Sequence, residues 1–183
     1  MFTYVFDLDD TLLSTSKLFT TPRARKVLNN IGSRNVYNYL KAYREIIPQD
    51  PVLIKQLIEL NGNKYLFTNG SRMHGYCGMA SLGISPYFTG QLDSNSSDVL
   101  KPDPHIYHLL EKAVYTNHKK TQIVFFDDQY INLVYPKQQG WITVWITPKL
   151  DKKKTYADFQ FTNIYDGINF FLQIQNLQKR GRI

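Results

Sequence analysis

The chain has 183 residues, 43% of them hydrophobic and 14% aromatic, with a formal net charge of +7. That length suits one well-buried domain and is short for two, and neither percentage suggests disorder. No apolar run approaches the roughly 20 residues that span a bilayer, and the single cysteine, Cys77, excludes an internal disulfide, which fits a reducing, cytoplasmic setting.

Met1 leads directly into an apolar run with no basic leader region, so no secretory signal is expected. The run Phe2–Phe6 ends at Asp7 and reads as a buried strand. Residues 14–50 carry no clear strand and are too long for a structureless loop in a compact domain. Val27, Leu28 and Ile31 suggest one helix there, and Val36, Tyr39, Leu40 and Tyr43 another. We read this segment as a small helical insertion above the carboxyl edge of a sheet. Next comes a helix over 51–60, with Asp50 as N-cap and Pro51 at its first position, stopped at Asn61-Gly62. A strand over 64–67 is followed by a helix over Arg72–Leu82, ended by Gly83. The helix over 104–115 shows Ile106, Leu109, Leu110 and Ala113 on one face. Strands over 123–126 and 142–146 and a last helix over 166–177 complete the pattern. Pro136 falls where the helix after the third of these strands would continue, and it should shorten or kink that helix.

Alternating strands and helices predict an α/β fold with a mainly parallel sheet between helices. Ligands bind such sheets at the carboxyl ends of the strands. The residues there are Asp7, Thr68 and Asp127. In Asp7-Leu8-Asp9-Asp10-Thr11, three carboxylates crowd one strand end, which is costly unless a cation sits among them. Oxygen ligands of this kind suit Mg²⁺. Thr68-Asn69-Gly70 offers a hydroxyl and backbone N–H groups near a helix start, where phosphate oxygens bind. Lys101, just ahead of another helix, adds a compact cation. Asp127-Asp128 adds two more carboxylates. Each group alone has an ordinary reading as a turn, a cap or a surface residue. Their joint placement at strand ends is what makes them a candidate site.

In that order and spacing the four groups resemble the motifs of the haloacid dehalogenase-like (HAD) superfamily. Asp7-Leu8-Asp9-Asp10-Thr11-Leu12 is similar to its first motif, Thr68 to the second, Lys101 to the third and Asp127-Asp128 to the fourth. The likeness runs from residue 2 to about residue 170. More narrowly, 65–111 is similar to the pyrimidine 5′-nucleotidase-like branch, through Leu66-Phe67-Thr68-Asn69, Leu82-Gly83-Ile84, Tyr87-Phe88 and Lys101-Pro102. Phe125-Phe126-Asp127-Asp128, with Asn132 and Gly140-Trp141 downstream, is similar too.

The resemblance implies a Rossmann-like HAD core formed by residues 1–13 and 51–183, with 14–50 as a small helical cap insertion, shorter than that branch's cap. It implies a Mg²⁺-dependent phosphatase working through an aspartyl-phosphate. Asp7 would be the nucleophile and Asp9 the general acid and then the base; an acid at that position separates phosphatases from dehalogenases. Thr68, the N–H of Asn69 and Gly70 would hold the phosphoryl oxygens, and Lys101 would offset their charge. Asp7, the Asp9 carbonyl and Asp128 would bind Mg²⁺, with Asp127 close behind. The implied substrate is a phosphorylated small molecule, with nucleoside 5′-monophosphates among the candidates. The short insertion and positive charge leave open a nucleic-acid end or a phosphoprotein. A phosphate-binding module without turnover would lack a motif residue, and none is missing.

The remaining features read as ordinary. The basic runs at 23–26, 149–154 and 179–182 suit a solvated surface and a basic tail. His74, His105, His108 and His118 lack ligand spacing and read as surface or capping residues. Cys77 reads as a small core residue. Tyr37, Tyr39 and Tyr43 read as packing within the insertion, and Arg23, Arg25 and Arg44 as a solvated face.

Overall fold

In the first strand, β1 (Phe2–Phe6), Tyr4 and Phe6 belong to one hydrophobic cluster and Val5 to another. Successive strand residues face opposite sides, so a run buried from Thr3 to Phe6 needs cover on both. The computed structural model describes residues 2–32, 35–117 and 121–181, and it shows both covers. Six parallel strands lie in the order β3-β2-β1-β4-β5-β6. The other five are β2 (Asn63–Phe67), β3 (Gly90–Leu92), β4 (Gln122–Asp127), β5 (Ile142–Ile146) and β6 (Phe159–Phe161). On one face Tyr4, Phe6 and Phe126 pack with Leu53 and Leu57 of α4 (Pro51–Glu59) and Phe171 of α8 (Ile164–Lys179). On the other, Val5, Phe67 and Phe125 pack with Tyr107, Leu110 and Val114 of α6 (Pro104–Asn117).

The strand order reverses between β1 and β4. Helical connections leave β1 toward one edge and β4 toward the other, which opens a crevice at their carboxyl ends. Phe6 pairs with Phe126, and Asp7 N–H donates to the Phe126 carbonyl at 2.9 Å. That register sets Asp7 and Asp127 side by side at the crevice.

The remaining helices are α1 (Thr15–Leu18), α2 (Pro22–Asn29), α3 (Val36–Ile46), α5 (Arg72–Leu82) and α7 (Val134–Gln138). Expected starts and stops recur. The Asp50 carboxylate accepts from Leu53 N–H ahead of α4, Ser71 Oγ accepts from His74 N–H ahead of α5, and Gly83 ends α5 at φ +81°. Ile31, expected in a helix with Val27 and Leu28, lies beyond the end of α2. Pro136 sits in the first turns of α7, where its missing N–H costs no helical bond, and that helix is five residues long. Two strands were not expected, β3 and β6; each has three residues, all half-buried. No described helix is long and apolar enough to cross a membrane.

Phe171 joins the sheet to α8, with ring centroids 5.9 Å from Tyr4, 5.6 Å from Phe126 and 5.9 Å from Phe159. Replacing it with alanine leaves a cavity among rings that cannot collapse. Phe171→Ala should cost about 3–5 kcal/mol in urea unfolding, while exposed Leu177→Ala on the same helix should cost far less.

Candidate active site

The chain leaves β1 through a tight turn. The Leu8 carbonyl accepts from Thr11, Leu12 and Leu13 N–H, and Asp10 N–H donates to the Leu13 carbonyl. Asp10 holds φ +55°, a left-handed conformation that Asp tolerates better than most residues. The turn buries Leu8, Leu12 and Leu13 and keeps Asp7 and Asp9 at the crevice. The Asp9 carbonyl accepts no hydrogen bond among the described residues.

Lys101 enters from the loop after β3. Its ammonium donates to Asp7 Oδ1 at 2.8 Å, Asp127 Oδ2 at 2.7 Å and the Phe67 carbonyl at 2.8 Å. The lysine and Asp127 side chains are at most 1% exposed. The Nζ also sits 5.0 Å from the Phe67 ring centroid and 5.5 Å from that of Phe125. The Asn69 side chain clamps the backbone of Lys101, donating to its carbonyl and accepting from its N–H, both at 2.9 Å. Asp127 has further partners in Gln129 N–H and the Asn132 amide, so both its oxygens are occupied by protein donors. Asp128 accepts from the Gln129 amide at 2.6 Å.

Carboxylate oxygens of Asp7, Asp127 and Asp128 lie within 4.8 Å of one another. Burial pushes the Asp7 carboxyl up; Lys101 opposes this, Asp127 adds to it, and the net direction is up. Burial would push Lys101 down, but the charges of Asp127 and Asp7 hold its ammonium above the ordinary value. Burial and the charge of Asp127 push Asp128 up to about 6. A carboxyl and an ammonium shifted upward together mark a pocket with surplus negative charge. Three carboxylates face one ammonium, and an all-oxygen donor set of this kind fits a hard divalent cation.

Thr68 is buried, and its hydroxyl accepts from Gly70 N–H at 2.9 Å. A Cβ at Gly70 would come within 2.7 Å of the His74 ring, so the tight approach of that loop requires glycine. A cleft of about 370 Å³, lined in part by Asp10, Lys17, Asp128 and Thr147, opens beside the carboxylates. A larger cavity of about 520 Å³ between α2 and α3 contains none of them.

All the expected site residues therefore occupy one sheet edge, and the structure adds others. His74, expected at the surface or in a cap, is instead half-buried, with Nε2 2.7 Å from Asp9 Oδ1 and Nδ1 2.6 Å from the Tyr43 hydroxyl. Thr15 Oγ1 donates to the same Asp9 oxygen at 2.5 Å. Burial pushes Asp9 up, but the bond and charge of His74, with Thr15 and Lys101, outweigh it and hold the carboxyl below its usual range. One signal for His74 was present in the sequence. It stands in the first turn of a helix that starts at a strand's carboxyl end, so it lies near that edge. His105, His108, Arg23, Arg25 and Arg44 are exposed and Cys77 is buried, as expected. Tyr37, expected to pack, is 75% exposed. His118 and Arg182 lie outside the described residues.

No protein-family model and no curated protein matches the chain. Solved structures do match. A Thermotoga maritima protein assigned as a beta-phosphoglucomutase has a TM-score of 0.72 at 16% identity, covering 95% of this chain and 100% of that one. A HAD phosphatase from Thermococcus onnurineus has a TM-score of 0.62 at 17% identity, covering 93% and 97%. Bacillus subtilis YfnB, assigned as a HAD hydrolase and bound to magnesium, has 0.61 at 15%, covering 93% and 98%. L-2-haloacid dehalogenase from Xanthobacter autotrophicus is similar as well. These likenesses establish the fold as that of the HAD-type hydrolases.

The charge surplus has a measurable consequence. Asp128 titrates near 6 folded against 3.8 ordinarily, so between those values the folded protein holds a proton the unfolded chain has lost. That contribution to stability is complete below 3.8 and disappears as pH rises to about 6. In chelator-treated protein the melting temperature should therefore drop across this window. Added Mg²⁺ should restore it, more at pH 8 than at pH 5, because cation binding needs the ionised carboxylates.

Proposed function

We propose that the protein is a Mg²⁺-dependent phosphatase that hydrolyses phosphate monoesters through an aspartyl-phosphate on Asp7. The observation that carries this reading is the buried Asp7–Lys101–Asp127 cluster at the crevice, with Asp128 and Asp9 beside it. The presence of Asp9 favours a phosphatase over the dehalogenases that share the fold, because a departing alkoxide needs a proton and a halide does not.

An Asp7 carboxylate oxygen attacks phosphorus as the bond to the ester oxygen breaks, and Asp9, which must enter this step protonated, gives the departing alkoxide its proton. Asp9, now a carboxylate, takes a proton from water as that oxygen attacks the phosphoryl group. The Asp7–phosphorus bond breaks and inorganic phosphate leaves. Thr68, the Asn69 N–H and Gly70 hold phosphoryl oxygens, and Lys101 offsets their charge. Asp7, the Asp9 carbonyl and Asp128 would hold Mg²⁺, which when bound offsets charge on the phosphoryl oxygens. Asp128 is the better ligand of the acidic pair, because protein donors already occupy both Asp127 oxygens. Asp127 then serves mainly to hold Lys101.

The likeness of 65–111 to pyrimidine 5′-nucleotidases favours a nucleoside 5′-monophosphate. In this reading, 14–50 is a reduced cap over a core of 1–13 and 51–183. A second reading, a phosphorylated nucleic-acid end, is favoured by the loop after β5. Trp145 Nε1 donates to the Asp128 carbonyl at 2.7 Å, and the loop beyond carries Lys149, Lys152, Lys153 and Lys154. Lys154 stacks on the Tyr130 ring at 4.7 Å.

With Mg²⁺, the protein should hydrolyse 4-nitrophenyl phosphate, and Asp7→Asn should lower kcat on the order of a thousandfold or more. A hydroxylamine-sensitive phosphoenzyme should be trapped in the native protein and not in the variant. Activity surviving the substitution would rule out the nucleophile. Faster hydrolysis of mononucleotides than of end-phosphorylated oligonucleotides would select the first substrate class over the second.

A further inference from the structure

The carboxylate assigned above as acid and base is held by a chain of bonds that begins in α3. The Tyr43 hydroxyl lies 2.6 Å from His74 Nδ1, and His74 Nε2 lies 2.7 Å from Asp9 Oδ1. A carboxylate oxygen can only accept, so with Asp9 ionised the bond to Oδ1 is donated by His74 Nε2–H, and Nδ1 shares the second bond with the Tyr43 hydroxyl.

The rings are packed as well as bonded. Tyr43 is 7% exposed and sits edge-on to His74 at 5.7 Å between centroids. Phe19 covers both rings, at 5.3 Å from Tyr43 and 6.1 Å from His74. With Thr15 on the same atom, Asp9 Oδ1 accepts two bonds, whereas Oδ2 accepts none among the described residues. An oxygen already accepting two hydrogen bonds is a poor place for a proton. A proton exchanged with substrate or water is therefore directed to Oδ2.

We propose that His74, backed by Tyr43, is a positioning residue that fixes the Asp9 carboxyl for proton transfer and ties that geometry to α3. This rests on the phosphatase reading of Asp9. Neither residue acts on the phosphoryl group itself, so the proposal is confined to the proton. A pair that only joined α3 to α5 would affect every substrate alike.

Leaving groups separate the two cases. The ratio kcat/KM reports the steps up to phosphoenzyme formation. An alkyl phosphate needs its leaving oxygen protonated in that step, and 4-nitrophenyl phosphate does not. The alkyl-to-aryl ratio of kcat/KM is independent of how much of a variant is folded. His74→Ala should lower this ratio at least about tenfold. Tyr43→Phe, which keeps the ring, should lower it less. His74→Gln, which keeps an N–H donor, should recover most of the loss. An unchanged ratio in His74→Ala would overturn the proposal and leave the phosphatase reading standing. An Asp7→Asn variant that stays active would instead remove the reading underneath.

Discussion

A lysine ammonium sealed between two carboxylates is the constraint on which the rest of this molecule depends. Burying any one of Lys101, Asp7 or Asp127 alone would cost several kcal/mol. Together, with the Phe67 carbonyl and the Asn132 amide completing their bonds, they are tolerable, and only in one geometry. β1 must bring Asp7, β4 must bring Asp127, and the loop before α6 must deliver Lys101. The Asn69 clamp on the Lys101 backbone ties the end of β2 into the same unit. Folding the sheet and assembling the site are therefore one event.

Such a cluster is a poor device for stability alone, since apolar side chains of similar volume would do as well or better. Its retention makes sense if the surplus negative charge has use. In the proposed reading that surplus draws a divalent cation, and cation and ammonium together favour a phosphoryl group beside Asp7. The fold is shared by mutases, phosphatases and dehalogenases, so it cannot choose among them. In the proposed reading Asp9 carries the choice, and its surroundings in this chain are particular. The carboxyl is held by a histidine from α5 and, through it, by a tyrosine from the segment between β1 and α4.

The parts legible in the sequence were those with a local signature. An apolar run ended by Asp7, a cap at Asp50 and a glycine stop at Gly83 each state their role within a few residues. The strand-end rule then picked out Asp7, Thr68 and Asp127 without any knowledge of contacts, and Lys101 stood out as a cation just ahead of a helix. What remained hidden was non-local or short. β3 and β6 are edge strands of three half-buried residues, too brief to show a period. Tyr43 and His74 are 31 residues apart and meet only because α3 packs on α5. The Asn69 side chain, in a position expected to offer only its N–H, acts on a backbone 32 residues away.

The most direct test of the account is a crystal structure of the protein grown with Mg²⁺ and beryllium fluoride, a mimic of an acyl phosphate. We predict the beryllium bonded to a carboxylate oxygen of Asp7, with Lys101 and Thr68 on its fluorides and Mg²⁺ shared by Asp7, the Asp9 carbonyl and Asp128. A beryllium adduct on another residue, or a cation seated away from Asp7 and Asp128, would contradict it.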